Sequence, residues 1–244
     1  MSPTPRTAPR RERARAATID EIKQTALALM REGGPAAVRF TDIAREMDMT
    51  PPALYRYFAD RDELISALIT DAYEALGTEV AKARAEVPDG DIAAWFIAAA
   101  QAYRRWAHRE PQQFALILGL PLPDYAAPVD GSTSEAAGRA MAQLSTLFVE
   151  ALHSGQLRPP RLRDVHPAVE HCATLKAAHT KVSVGPELFQ AMLHAWASLH
   201  GFTSLEANGH FEWMDPEARD ALFLGQLRLA AEAAGLPTLP PADH

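Results

Sequence analysis

The sequence predicts an all-α fold, an N-terminal three-helix helix-turn-helix domain followed by a larger C-terminal helical domain, and three observations carry that prediction. Apolar residues recur three and four positions apart along most of the chain, in Ala-rich and Leu-rich segments whose other faces are polar. No run of alternating β-branched residues reads as a strand. The stretch FTDIAREMDMTPPALYRYF, residues 40 to 58, folds two short helical patterns around one tight turn.

Taken in order, the first fifteen residues hold five Arg against one Glu and too few apolar side chains to pack. Residues 1 to 17 are therefore expected to be a disordered basic arm, which either lies along a minor groove or only keeps the chain in solution. Thr18, Ile19, Asp20 and Glu21 have the spacing of a capping box and open a first helix. Its stripe is Ile19, Ile22, Ala26, Leu29 and Met30, and Gly33-Gly34-Pro35 ends it.

Thr41 reads as the N-cap of the second helix, whose inner side is Ile43, Ala44 and Met47. The turn falls at Asp48-Met49, because Asp adopts the left-handed backbone more cheaply than most residues. Thr50 is the next N-cap, and Pro51 at the first helical position loses nothing by lacking an amide hydrogen. Leu54 and Phe58, four apart, point inward together, so Pro51, Tyr55, Arg56 and Tyr57 are left to face a partner. A shared core of Ile22, Leu29, Ile43, Met47, Leu54 and Phe58 is expected for this domain, residues 18 to 61.

The remaining domain, residues 62 to 235, opens with a long helix capped by Asp60 and Glu63 and carrying Leu64, Leu68, Ala72 and Leu76 to about Ala85. After a break at Pro88-Asp89-Gly90, Ile92, Trp95, Phe96, Ala99, Tyr103 and Trp106 share one face of a helix over Asp91 to Arg109, either plain core or a ligand wall. A short helix over Pro111 to Leu118, a Pro-rich loop over 119 to 133, and helices over Ser134 to His153 and Val165 to Thr180 follow. The last two helices span Pro186 to Ala207 and Pro216 to Ala234, and residues 236 to 244 read as a frayed tail.

The formal net charge is −7, which divides unevenly. Residues 1 to 61 contain 11 Lys+Arg against 8 Asp+Glu, a net of +3, and the rest contain 13 against 23, a net of −10. A basic head and an acidic body suit a chain that meets phosphates with one domain only. The single cysteine, Cys172, excludes an intramolecular disulfide and fits a reducing compartment. The Arg-rich N-terminus has no apolar segment after it as a signal peptide would, and no stretch approaches 18 uninterrupted apolar residues, so a cytoplasmic protein with no membrane partner is expected. His166, His171, Cys172 and His179 do not place two ligands four apart, so no metal is expected there. Neither G-x-S-x-G, a P-loop, a dinucleotide fingerprint nor C-x-x-C occurs, so no catalytic residue and no cofactor is assigned, and no enzyme is expected.

TDIAREMDMTPPALYRYFADRDELI resembles the DNA-binding segment of the TetR family of bacterial transcriptional regulators. The family's L-Y-x-Y/H-F signature stands here as Leu54, Tyr55, Arg56, Tyr57 and Phe58, within a match from about Thr18 to about Leu68. Asp48 stands where that family most often carries Gly. HAWASLHGFTSLEANGHF resembles the Trp-His-Gly type of TetR-family C-terminal domain, through Trp196, His200 and Gly201.

The resemblance implies a homodimeric regulator, more specifically a repressor, of a palindromic double-stranded operator, released by a small apolar or aromatic effector. On that reading Thr41, Thr50, Tyr57 and Arg61 touch phosphates, and Pro51, Ala53, Tyr55 and Arg56 lie nearest base edges. Trp95, Phe96, Tyr103, Phe114 and His171 are the candidate ligand residues, and Trp196, Ala197, His200 and Gly201 the candidate dimer interface. The alternatives are a small-molecule binding protein with vestigial DNA binding, or a low-specificity architectural DNA binder.

Overall fold

The computed structural model describes residues 10–34, 38–119, 121–122, 125–126, 131–180 and 184–239, without the side chains of 179 and 180. The expectations for residues 1 to 9, Pro35, part of the 119–133 loop, the His179 side chain and residues 240 to 244 lie outside them. Among the described residues every regular element is a helix: α1 (Arg10–Gly33), α2 (Phe40–Glu46), α3 (Pro51–Leu54), α4 (Arg61–Ala85), α5 (Ile92–Arg109), α6 (Pro111–Leu118), α7 (Ser132–His153), α8 (Pro167–Thr180), α9 (Pro186–Ala207) and α10 (Pro216–Ala234). The all-α expectation holds, and no helix among these residues is long and apolar enough to cross a membrane. Two compact units divide the chain, Met1–Tyr73 with Glu110–Ala137, and Glu74–Arg109 with Gly138–His244.

In the first unit α1 begins at Arg10, eight residues ahead of the expected capping box. Thr18 is inside the helix, where its hydroxyl donates to the Ala14 carbonyl at 3.1 Å instead of capping. The supposed basic arm is thus helical from Arg10 on, because its Arg, Ala and Glu residues are good helix formers as well as charged ones. Gly34, at φ +73, closes the helix, its amide donating to the Met30 carbonyl at 2.8 Å.

α2 also starts earlier than expected, at Phe40, with Arg39 at the cap position and no side-chain cap. Burying the Phe40 ring competes with the Thr41 cap, and the ring wins. Asp48 does take the left-handed backbone, at φ +51. Thr50 has the extended cap conformation but makes no side-chain cap bond; its carbonyl accepts from the Ala53 amide at 2.8 Å. Ile22, Ile43, Leu54 and Phe58 are buried together, with Leu29 and Met47 half-buried at the edge of the same cluster. Leu64, Ile65 and Leu68 of α4 and Leu116 of α6 complete that core. α6 therefore packs with the helix-turn-helix, and the Tyr73 hydroxyl donates to the Ile117 carbonyl at 3.0 Å.

The predicted cap of α4 forms with one change. The Glu63 amide donates to Asp60 Oδ1 at 2.8 Å, while the Glu63 carboxylate accepts from the Ala59 amide, one residue before the one expected.

The second unit is built on α5, whose six predicted face residues are all buried. Asp91 caps this helix by accepting from the Ala94 amide at 2.9 Å. Gly77 of α4 lies against α7, where an added Cβ would stand 3.3 Å from the Ala140 Cα. α9 and α10 pack on each other and on α5, with Phe202 and Phe223 in ring contact at 5.3 Å. Pro186 and Pro216 open these two helices at the positions where proline costs no hydrogen bond. Gly235 closes α10 at φ +79, and any Cβ there would collide with the Arg158 carbonyl. Where a frayed tail was expected, Leu236 and Leu239 are buried and the Arg158 amide donates to the Gly235 carbonyl at 2.8 Å. Two buried leucines outweigh the chain-end entropy there.

Candidate nucleic-acid interface

The site grows from the shortest helix among the described residues. α3 is a single turn, PPAL, and residues 55 to 57 continue it as turns, with the Tyr57 and Phe58 amides both donating to the Leu54 carbonyl, at 2.8 and 3.1 Å. Leu54 and Phe58 anchor that segment in the core, as their spacing requires. Thr41, Thr50, Pro51, Tyr55 and Arg56 are exposed, and Ala53 and Tyr57 are half-buried. These seven residues lie along one stretch of α2, the turn and α3 in the first unit.

Arg61 differs from the others. Its Nε donates to the Val38 carbonyl at 2.9 Å and its Nη1 stands 3.8 Å from Asp62, so it braces the start of α2 as well as offering charge. Arg39, at the cap of α2, and Arg45, within it, are exposed cations beside these residues. Arg45 pairs with Asp42 at 3.2 Å, an i,i+3 contact of the weak surface kind.

In the second unit one candidate ligand residue, Tyr103, meets two of the candidate dimer residues, Trp196 and His200. The Tyr103 hydroxyl lies 2.8 Å from His200 Nδ1, Trp196 stacks on His200 with centroids 5.5 Å apart, and Tyr103 meets Trp196 edge-on at 5.4 Å. Burial pushes His200 below the ordinary histidine range and favours the neutral ring. Trp95 lies under the Arg84 guanidinium at 4.3 Å, and Phe96 meets Phe148 edge-on. Phe114 is buried in the first unit, and His171 is exposed on α8.

One further feature left no local trace in the sequence. Glu206, almost wholly buried on α9, accepts from His108 at 2.9 Å and from Arg104, whose Nη1 also reaches Asp220 at 2.7 Å. Burial alone would raise the Glu206 carboxyl, but the hydrogen bonds and charges of Arg104 and His108 outweigh it and hold the group below the usual carboxylate range. On the outer sides of α9 and α10, Leu193, Ala197, Leu205, Leu222 and Leu229 are exposed. A groove of about 520 Å³, lined by His194, Ser198, Gln226 and Leu229 among others, lies beside them.

Comparison with known proteins extends these observations. The family model described as bacterial regulatory proteins, tetR family, matches residues 22–68, and that described as tetracyclin repressor-like, C-terminal domain, matches residues 96–229. The HTH-type transcriptional regulator Rv1816 of Mycobacterium tuberculosis is 35% identical over 125 residues, 51% of this chain and 53% of that protein. The chain thus spans about half the length of the curated relatives it matches. The crystal structure of SCO4313 has a TM-score of 0.70 at 33% identity, covering 91% of this chain and 98% of the other. RolR, solved with resorcinol bound, has a TM-score of 0.51 at 18% identity over 95% of this chain and 100% of its own, a likeness of fold.

Proposed function

Because the chain belongs to the TetR family of bacterial regulatory proteins, whose members are DNA-binding transcriptional regulators, we propose that it is a homodimeric repressor of a near-palindromic operator, released by a small apolar or aromatic effector. One observation carries the reading. A segment too short to be a stable helix by itself is anchored by Leu54 and Phe58 and presents Pro51, Tyr55 and Arg56 to solvent. Thr41, Thr50, Tyr57 and Arg61 are assigned to phosphates, the last through its outer nitrogens. Pro51, Ala53, Tyr55 and Arg56 are assigned to base edges. Pro51 and Ala53 offer no hydrogen bonds, so thymine methyl groups and DNA shape carry much of the discrimination.

Two such heads, related by a two-fold axis, would occupy half-sites about 34 to 36 Å apart or a multiple of that. The exposed apolar residues of α9 and α10 support pairing through those helices, where Ala197 and Gly201 permit close approach. For the effector, RolR with its bound resorcinol is the precedent among proteins of this fold. Such a ligand needs to prefer the DNA-incompetent state by only about 1 to 3 kcal/mol to act as a switch.

A gel shift on the DNA flanking the protein's own gene tests the proposal. A discrete complex that survives excess random DNA and weakens steeply between about 50 and 200 mM salt is the expected result. A complex that random DNA removes would indicate an architectural binder, and no complex at low salt would leave only the reading in which DNA binding is vestigial.

A further inference from the structure

Arg15 stands on the face of α1 that Ile19 and Ile22 continue, one turn before the apolar stripe begins. From there its Nη1 donates to the Arg56 carbonyl at 3.2 Å, and its guanidinium lies 5.3 Å from the centre of the Tyr57 ring. We propose that Arg15 is a positioning residue for DNA recognition, holding the C-terminal end of the α3 segment through Tyr57 and the Arg56 backbone rather than through a phosphate. The inference rests on the DNA-binding reading above.

The physical need for such a clamp is plain from α3 itself. Four residues make one turn, the two prolines supply no amide donor, and the Ala53 and Leu54 carbonyls at its C-terminal end are met only by the turn amides that follow. Tyr55, Arg56 and Tyr57, which carry the outward face, follow that end in turn conformation. Leu54 and Phe58 fix the segment from beneath, the Arg56 and Tyr57 amides donate to Ala53 and Leu54, and Phe40 touches Tyr55 at 5.1 Å, but none of these contacts meets the Arg56 carbonyl, which Arg15 does. A cation at a helical C-terminus is favourable, and a guanidinium donates in its plane while covering a ring with its face. A lysine ammonium at the same place keeps the charge and loses that combination. The clamp exists because α1 reaches back to Arg10; a disordered arm would leave Arg15 elsewhere.

The test uses the full chain with Arg15→Lys and Arg15→Gln, and reads operator affinity against salt together with amide exchange at residues 56 to 58 in the DNA-free protein. Both variants are expected to bind about tenfold more weakly, as loss of one charge-assisted hydrogen bond implies. Their log affinity should fall with log salt at the wild-type slope, since no phosphate contact is removed. Exchange at 56 to 58 should quicken in both, with little change in thermal midpoint. Wild-type affinity in Arg15→Lys with a slope lower by about one in Arg15→Gln would instead make Arg15 a phosphate contact and overturn the inference. Unchanged affinity in both variants would overturn it too. If the wild type forms no complex at all, the functional reading fails, and the exchange rates alone decide whether the clamp exists.

Discussion

Tyr55 rests its ring on Phe40, with centroids 5.1 Å apart and planes tilted by 58°, yet 58% of its surface stays open. Tyr57, two residues on, is half-buried against the head's core and under Arg15. The two tyrosines of the signature are therefore not equivalent. Tyr55→Ala should weaken operator binding about tenfold or more while lowering stability by roughly 0.5 to 1.5 kcal/mol, the worth of one aromatic contact. Tyr57→Ala should lower both, because it removes packing as well as a hydroxyl. Chemical denaturation of each variant beside its binding curve checks this, and a larger stability loss at Tyr55 than at Tyr57 would contradict it.

Arg104 grips Glu206 across 102 residues of sequence, with Nε 2.6 Å from Oε2, while lying 4.7 Å from the Phe223 ring centre. Arg104→Ala leaves the buried Glu206 with His108 alone and should cost about 3 to 5 kcal/mol, whereas Glu206→Ala leaves Arg104 paired with the exposed Asp220 and should cost less. The paired change Arg104→Met with Glu206→Leu should cost less than Arg104→Ala, since no charge is stranded. The lowered Glu206 carboxyl adds a pH signature. Its stabilising effect is present above the ordinary carboxylate value of about 4.3 and is lost as pH falls through the lower value of the folded state. The stability gap between wild type and Glu206→Gln should accordingly be full at pH 7 and close in acid; a gap that widens in acid would refute the assignment.

Gly201 faces open space, with nothing within 4 Å of an added Cβ, and Ala197, one turn earlier, is exposed. A charged side chain at either position meets no obstacle within the chain, and replacing Gly inside α9 favours the helix by up to about 1 kcal/mol. Gly201→Glu and Ala197→Asp should therefore remain folded and sediment as monomers if these residues meet a second copy. Retained dimers would move the interface elsewhere. Trp196 and His200, predicted for the same interface, are committed to Tyr103 within their own chain. Their truncation should show first in stability.

How much of this could be read beforehand follows the range of the interactions. The helix-turn-helix was legible because its signals are local: Pro51 at a helix start, Asp48 in the turn, and Leu54 and Phe58 four apart. The helices of the body were legible to within two residues for the same reason, through their proline starts and apolar stripes. Charge misled at the N-terminus, where five arginines read as an arm although Arg10 to Ala17 are sound helix formers and Arg15 has a place to dock. The Arg104–Glu206 pair and the Tyr103–His200 contact join positions about a hundred apart, and no spacing rule reaches that far. The same holds for Leu236 and Leu239, whose burial depends on the segment around Arg158. The candidate pocket residues were chosen by aromatic content, and within the second unit Trp95 packs on Arg84, Phe96 on Phe148 and Tyr103 on His200, contacts that no sequence spacing marks.

Footprinting of the retarded fragment tests whether two copies of this head read one operator. Two protected patches of equal extent are expected, related by inverted sequence and centred about 34 to 36 Å apart along the helix axis or a multiple of that. A single patch, or protection spread without repeat along the fragment, would contradict it.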